Sequence, residues 1–166
     1  MSGPFATRTL ATAALAVMAT LAVPQVASAQ QPTVFPAGTV CEFELRVESD
    51  TSVNRVFREW RDSDGNLVRA LEAGHAGDVT LVNTETGASL TLKGQGGVNH
   101  TTYNPDGSWT TSLTGNYLLF MFPTDVPAGP STTLYVGRVT YTSTPDFTFT
   151  LRGSSGRQRD MCAELS

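Results

Sequence analysis

From Thr39 onward, hydrophobic and polar side chains alternate with a period of two. That is the pattern of a strand with one buried and one wet face, not of a helix. Cys41, Phe43, Leu45 and Val47 fall on one side of the first such segment, and Glu42, Glu44, Arg46 and Glu48 on the other. Asn54 to Arg61 and Leu67 to Ala73 follow, separated by Asp62-Ser63-Asp64-Gly65-Asn66. An Asp-Gly pair tolerates the positive φ angles of tight turns, so this stretch is predicted to be a hairpin. The same logic predicts a hairpin of Val79 to Asn83 and Ser89 to Lys93 around Thr84-Glu85-Thr86-Gly87. Another is predicted from Val98 to Tyr103 and Ser108 to Leu113 around Asn104-Pro105-Asp106-Gly107, where proline presets the turn and glycine closes it.

Tyr117 to Phe122 is nearly continuous in apolar residues, as expected of a strand covered on both faces or lining an interior. Three prolines make Pro123 to Ser131 a loop, after which Thr132 to Thr142 alternates again. Phe147, Phe149 and Leu151 mark a last strand ahead of Gly153-Ser154-Ser155-Gly156, and Arg159 to Leu165 fits either a strand or a helical turn. About ten closely spaced strands without an amphipathic helix predict an all-β, antiparallel, hairpin-rich single domain over residues 39–166. Its architecture is expected to be a barrel or a barrel-like sandwich. The twenty threonines between residues 30 and 166 belong to that architecture, because a stiff branched Cβ and a hydroxyl suit half-exposed pleated surface.

The beginning of the chain has a different character. Arg8, the small-sided apolar stretch Thr9 to Val23, the breaker Pro24 and the tripeptide Ala27-Ser28-Ala29 together read as a signal peptide over residues 1–29, cleaved between Ala29 and Gln30. Residues 30–38, with two prolines and no periodicity, are expected to be a loose leader. No second long apolar run follows, so no membrane insertion is expected after signal removal, and the protein is expected to be secreted and extracellular. Cys41 lies too far beyond the cut for lipid attachment. An even pair of cysteines in an oxidising compartment predicts a disulfide between Cys41 and Cys162. Such a bridge sets the first strand beside the last segment, which closing a hairpin series into a barrel also requires.

Composition agrees with a globular domain: 166 residues, 40% hydrophobic and 16% charged. The net charge of −4 becomes about −5 once Arg8 leaves with the signal peptide, since no acid lies in that segment. Without a basic surplus, nucleic acid and anionic membrane surfaces are not expected partners. A monomer is expected.

Several short elements recur together: Cys41-Glu42-Phe43, the Thr86-Gly87 turn, Asp106-Gly107-Ser108 leading to Gly115-Asn116-Tyr117-Leu118-Leu119-Phe120, and the ending Asp160-Met161-Cys162-Ala163-Glu164-Leu165. In these the chain resembles a diffuse group of small secreted all-β proteins of high-GC Gram-positive bacteria. The resemblance spans almost the whole mature chain. It implies fold and export, and no particular activity.

Candidate chemistry is sparse. Asp62, Asp64 and Asn66 alternate like the opening of a calcium loop, but Leu67 and Ala73 stand where that loop needs glycine and glutamate. His75 and His100 are the two histidines; with Asp78 and a hydroxyl they could form a nucleophilic triad, although no Gly-x-Ser-x-Gly turn or His-Glu-x-x-His helix accompanies them. Gly94-Gln95-Gly96-Gly97 lacks the following helix that a phosphate cradle uses. Gly107-Ser108-Trp109 has the lipocalin Gly-x-Trp spacing but follows a mid-chain turn, so no lipocalin assignment follows. Asn99-His100-Thr101 fits the glycosylation pattern. Trp60 and Trp109 with Tyr103, Tyr135 and Tyr141 could form a stacking surface for a sugar or an apolar ligand, or pack the core. No cofactor or metal site is assigned. The reading that follows is a secreted, non-catalytic structural or binding module. Two alternatives stand beside it: a barrel carrying a small apolar ligand in a cavity lined by Leu118, Phe120 and Phe122, and a secreted hydrolase.

Overall fold

The computed structural model describes residues 31–50, 54–94 and 96–166. The signal segment expected over residues 1–29 and its Ala29–Gln30 cleavage point lie outside these. The described residues form β1 (Thr33–Phe35), β2 (Leu45–Ser49), β3 (Asn54–Arg61), β4 (Leu67–His75), β5 (Val79–Asn83), β6 (Ser89–Leu92), β7 (Gly96–Tyr103), β8 (Trp109–Met121), β9 (Ser131–Ser143), β10 (Phe149–Asp160) and α1 (Met161–Leu165). They make two antiparallel sheets, one ordered β1-β2-β5-β6 and the other β10-β9-β8-β7-β4-β3. The fold is therefore all-β with ten strands, and of the two architectures expected it is the two-sheet one, not a closed barrel.

Each predicted hairpin forms, but the series is not a simple meander. Val79, Leu81 and Asn83 of β5 turn inward beside Leu45 of β2, so the β5–β6 hairpin joins the small sheet and β4 pairs with β7 instead. The N-terminal segment is also more ordered than a loose leader: Thr33–Phe35 pairs with β2, and the Phe35 ring meets Phe120 at 5.2 Å and Phe122 at 6.2 Å. Conversely, Cys41 to Phe43 keep the expected in–out alternation but precede the strand, which starts at Leu45.

Two strands run longer than the hydrophobic pattern suggests. Ser108 to Leu113 and Tyr117 to Phe122, read as separate segments, are joined in the single strand β8, and β10 continues through Gly153-Ser154-Ser155-Gly156 to Asp160. Phe147 is not part of it; it sits in the preceding turn at φ +63°. The continuity rests on glycine. Gly74, Gly97, Gly115, Gly137 and Gly156 stand opposite one another across five neighbouring strands. Gly115 and Gly137 have φ of +126° and +144°, and a Cβ there would lie 2.6 Å from the Gly96 carbonyl oxygen and 2.3 Å from that of Ser155. Side chains are thus excluded along one line, and the large sheet can bend across it.

The core divides by face of the large sheet. One cluster is shared by both sheets: Val40, Cys41, Phe43, Leu45, Leu81, Leu134, Met161 and Leu165, with Leu118, Phe120 and Val136 packed against it. The second uses the opposite face of β8 and β9, around Leu113, Tyr135 and Val139, with Tyr117, Leu119, Tyr141 and Leu151. The long loop after β8 is fixed by Asp125, a buried carboxylate that accepts from the amides of Phe122 at 2.7 Å and Phe149 at 2.8 Å.

Cys41 and Cys162 are joined, with Cα atoms 5.6 Å apart. The chain ends meet through α1 rather than through strand pairing. Asp160 caps that helix by accepting from the Ala163 amide at 3.1 Å. Met161 and Leu165 are fully buried, and Asn83 Nδ2 donates to the Leu165 carbonyl at 3.0 Å. α1 thus plugs one end of the shared core. No helix among the described residues is long and apolar enough to cross a membrane.

Candidate binding cleft

Where the small sheet ends at β6, the large sheet continues past it, and a cleft of about 420 Å³ opens between them. Its floor is built from register. Asn116, Val136 and Arg157 stand side by side on β8, β9 and β10, and Leu118, Leu134 and Arg159 form the next row on the same face. Alternation puts both arginines over the apolar floor because they are two residues apart in one strand. Leu92 and Val79 supply an apolar wall from the small sheet, while Ala76, Gly77 and Gly94 border it. Both rows lie just past the glycine line.

The rim is basic. Lys93, Arg55, Arg157 and Arg159 all line it. Three of them have acidic partners. Lys93 Nζ donates to Asp78 Oδ2 at 2.7 Å, and the Gly94 amide donates to Asp78 Oδ1 at 2.8 Å; these bonds hold the Asp78 carboxyl below its ordinary pKa. Arg159 Nε donates to Glu164 Oε1 at 2.9 Å, which lowers Glu164 in the same way. Arg55 is paired with Glu72 of β4. Arg157 has no acidic partner among the described residues. Tyr117 lies at the edge of the cleft with its ring over Gly97, where a Cβ would come within 2.7 Å, and burial raises its hydroxyl pKa. Cations beside an apolar floor can hold a ligand with an apolar body and an anionic head.

The residues singled out by sequence are dispersed. His75 ends β4, exposed, opposite Gly96; His100 lies four residues further along β7, opposite Leu71 and Ser112. At about 3.3 Å rise per residue, that spacing keeps them roughly 13 Å apart. Asp78 is committed to Lys93 and Gly94, so the triad ingredients are not brought together. Asp62 closes its own turn, accepting from the amides of Asp64 at 3.0 Å and Asn66 at 2.9 Å. In the glycine-rich segment Gln95 lies outside the described residues, and the Gly94 amide is taken by Asp78. Asn99 accepts from the Thr101 hydroxyl at 3.2 Å.

The aromatic residues do not make one surface. Trp60 is on one face of the large sheet, with Arg58 and Arg69 guanidinium carbons 5.9 and 5.5 Å from its ring centre. Tyr103, Trp109, Tyr135 and Tyr141 are on the other face, where Trp109 packs edge-on to Phe147 and Tyr141 to Phe149. Of the apolar residues expected to line a cavity, Leu118 borders this cleft, whereas Phe120 and Phe122 pack against Phe35 and border a different hollow. A smaller hollow of about 230 Å³, bordered by residues of Leu118 to Phe122 with Tyr141 and Phe149, lies elsewhere.

The basic rim had one legible signal in the sequence, the spacing of Arg157 and Arg159. Ending the last strand at Leu151 hid it. Arg55 and Lys93 join them only through tertiary structure. No protein-family model, curated protein or solved structure matches the chain.

Proposed function

We propose that the protein is an exported, non-catalytic binding module that holds a small amphiphile in this cleft, apolar body on the floor and anionic head at the rim. Export is supported by the signal-like segment ahead of residue 30 and by the Cys41–Cys162 bridge, which oxidising compartments favour. The observation that carries the binding reading is the unneutralised Arg157 beside Val136 and Leu134, over a cleft whose volume is within the range of small-molecule sites. A cation with no acidic partner among the described residues, set beside apolar surface, favours a ligand that satisfies both. Membership of the secreted all-β group of high-GC Gram-positive bacteria is part of the same proposal.

The test is calorimetric titration of the disulfide-bonded mature chain with decanoate and with decanol. Decanoate is expected to bind, and decanol about tenfold more weakly, because the neutral head forgoes one charge-assisted contact. Arg157→Gln, at an exposed position, should bring the decanoate affinity down to that of decanol. Equal binding of acid and alcohol by the unaltered chain, or no binding of either, would defeat the reading.

A further inference from the structure

We infer that β3 is the interface of a two-fold dimer, pairing antiparallel with β3 of a second copy of this chain. The inference is independent of the cleft and goes beyond it.

Four strands border the two sheets, and they are not equivalent. β1 has three residues and β6 has four. β10 is regular from Gly153 to Asp160, but that stretch, Gly-Ser-Ser-Gly-Arg-Gln-Arg-Asp, offers no apolar side chain, and the rest of the strand is shifted between Leu151 and Gly153 and bridged from Val126 to Thr150. β3 has eight residues, and its pairing with β4 is regular from Asn54 to Trp60. It also exposes Val56 and Phe57, at 70% and 69%, the highest values among its large apolar side chains. A regular edge with exposed apolar residues is a template for another strand.

The sequence of this edge says which strand fits. In an antiparallel pair related by a two-fold axis normal to the sheet, opposite residues share a face. The regular segment Asn54–Trp60 has Phe57 at its midpoint. With the axis there, Phe57 meets its own copy, Arg55 stands opposite Glu59 twice, Val56 opposite Arg58 twice, and Asn54 opposite Trp60 twice. Aromatic and opposite-charge pairs are the favourable cross-strand combinations. Moving the axis to Arg58 sets Arg58 against its own copy and Phe57 against Glu59, which places like charges together. The charges on β3 therefore select one register with a second copy and disfavour the neighbouring one. Closed two-fold pairing also ends growth at two, because each copy uses its one suitable edge.

Eight residues of edge bury less than a standard interface, so the affinity is expected at the weak end of the scale. Sedimentation equilibrium of the mature, disulfide-bonded chain up to about 1 mM covers that range. A monomer–dimer equilibrium is expected. R55E and E59R chains should each dissociate at least about tenfold more readily, since either substitution makes both cross-strand pairs like-charged. An equimolar mixture should form a heterodimer, because the first chain presents two acids and the second two bases. Phe57→Ser, which removes the central aromatic pair and adds no charge opposite Glu72, should also be monomeric, and circular dichroism checks that each variant is folded. A monomer at every concentration leaves the edge to a strand of some other protein and overturns the proposal. Dimers that persist in all three variants, or a mixture that stays monomeric, overturn it as well.

Discussion

A glycine is ordinarily a weak point in a strand, because it has no side chain to pack and more conformational freedom to lose. In this protein five of them, from Gly74 to Gly156, are aligned across the large sheet, and at Gly115 there is no space for anything else. Gly115→Ala is expected to destabilise the chain by about 2 to 3 kcal/mol, combining positive-φ strain with the approach to the Gly96 carbonyl. Gly153→Ala is the control, since nothing lies within 4 Å of a Cβ there, and it should change stability by less than about 0.5 kcal/mol. Chemical denaturation of both variants compares the two. In the sequence these glycines share no mark: Gly137 falls inside a predicted strand, and Gly156 ends a glycine-serine run. Their alignment depends on the pairing register of five strands, which no local pattern carries.

The helix α1 illustrates what an element contributes beyond its length. α1 has five residues, too few to be stable alone. It is held by the Asp160 cap, by burial of Met161 and Leu165, by Asn83 and by the disulfide. Removing the bridge in a C41A/C162A chain should cost about 5 kcal/mol in the chain-entropy account of a loop this long, a sequence separation of 121. Hydrogen exchange should then show the amides of α1 and of Thr39–Phe43 losing protection, while the central strands β8 and β9 keep theirs. Uniform loss across both sheets would show instead that the bridge holds the fold as a whole. The pairing of the cysteines was legible from their number and from the signal-like segment. That the junction is made by a helical plug was not, because Arg159 to Leu165 has a hydrophobic pattern too short to distinguish strand from helix.

At the scale of the whole molecule, stability should depend on acid more than on base near neutrality. Asp62, Asp78, Asp106, Asp146 and Glu164 all have folded pKa values below their ordinary ones of 3.8 and 4.5. Hydrogen bonds to Asn66, Lys93, Ser108, Thr144 and Arg159 respectively lead the causes. A lowered folded pKa means that the unfolded chain binds more protons, so this stabilisation is complete above about pH 5 and is lost as pH falls through the depressed values. All five carboxylates are solvent-accessible, so each contribution is small and screened by salt. Thermal melts are expected to have a midpoint that these groups leave level between pH 7 and 5 and that declines below about pH 4. A midpoint rising over that lower interval would contradict the assignment.

Alternation, turn chemistry and cysteine number were enough to specify an all-β chain, three of its hairpins and the disulfide, because a strand's two faces and a turn's φ demands are written in neighbouring residues. Which hairpin joins which sheet, how far β8 and β10 extend, and which side chains share a cleft were decided by the tertiary structure. Arg55, Lys93, Arg157 and Arg159 are scattered over a hundred positions of sequence, and only the register across six strands and the position of β6 bring them to one rim. Pairing between distant strands is fixed by the packing of a shared core, and that is a property of the folded whole.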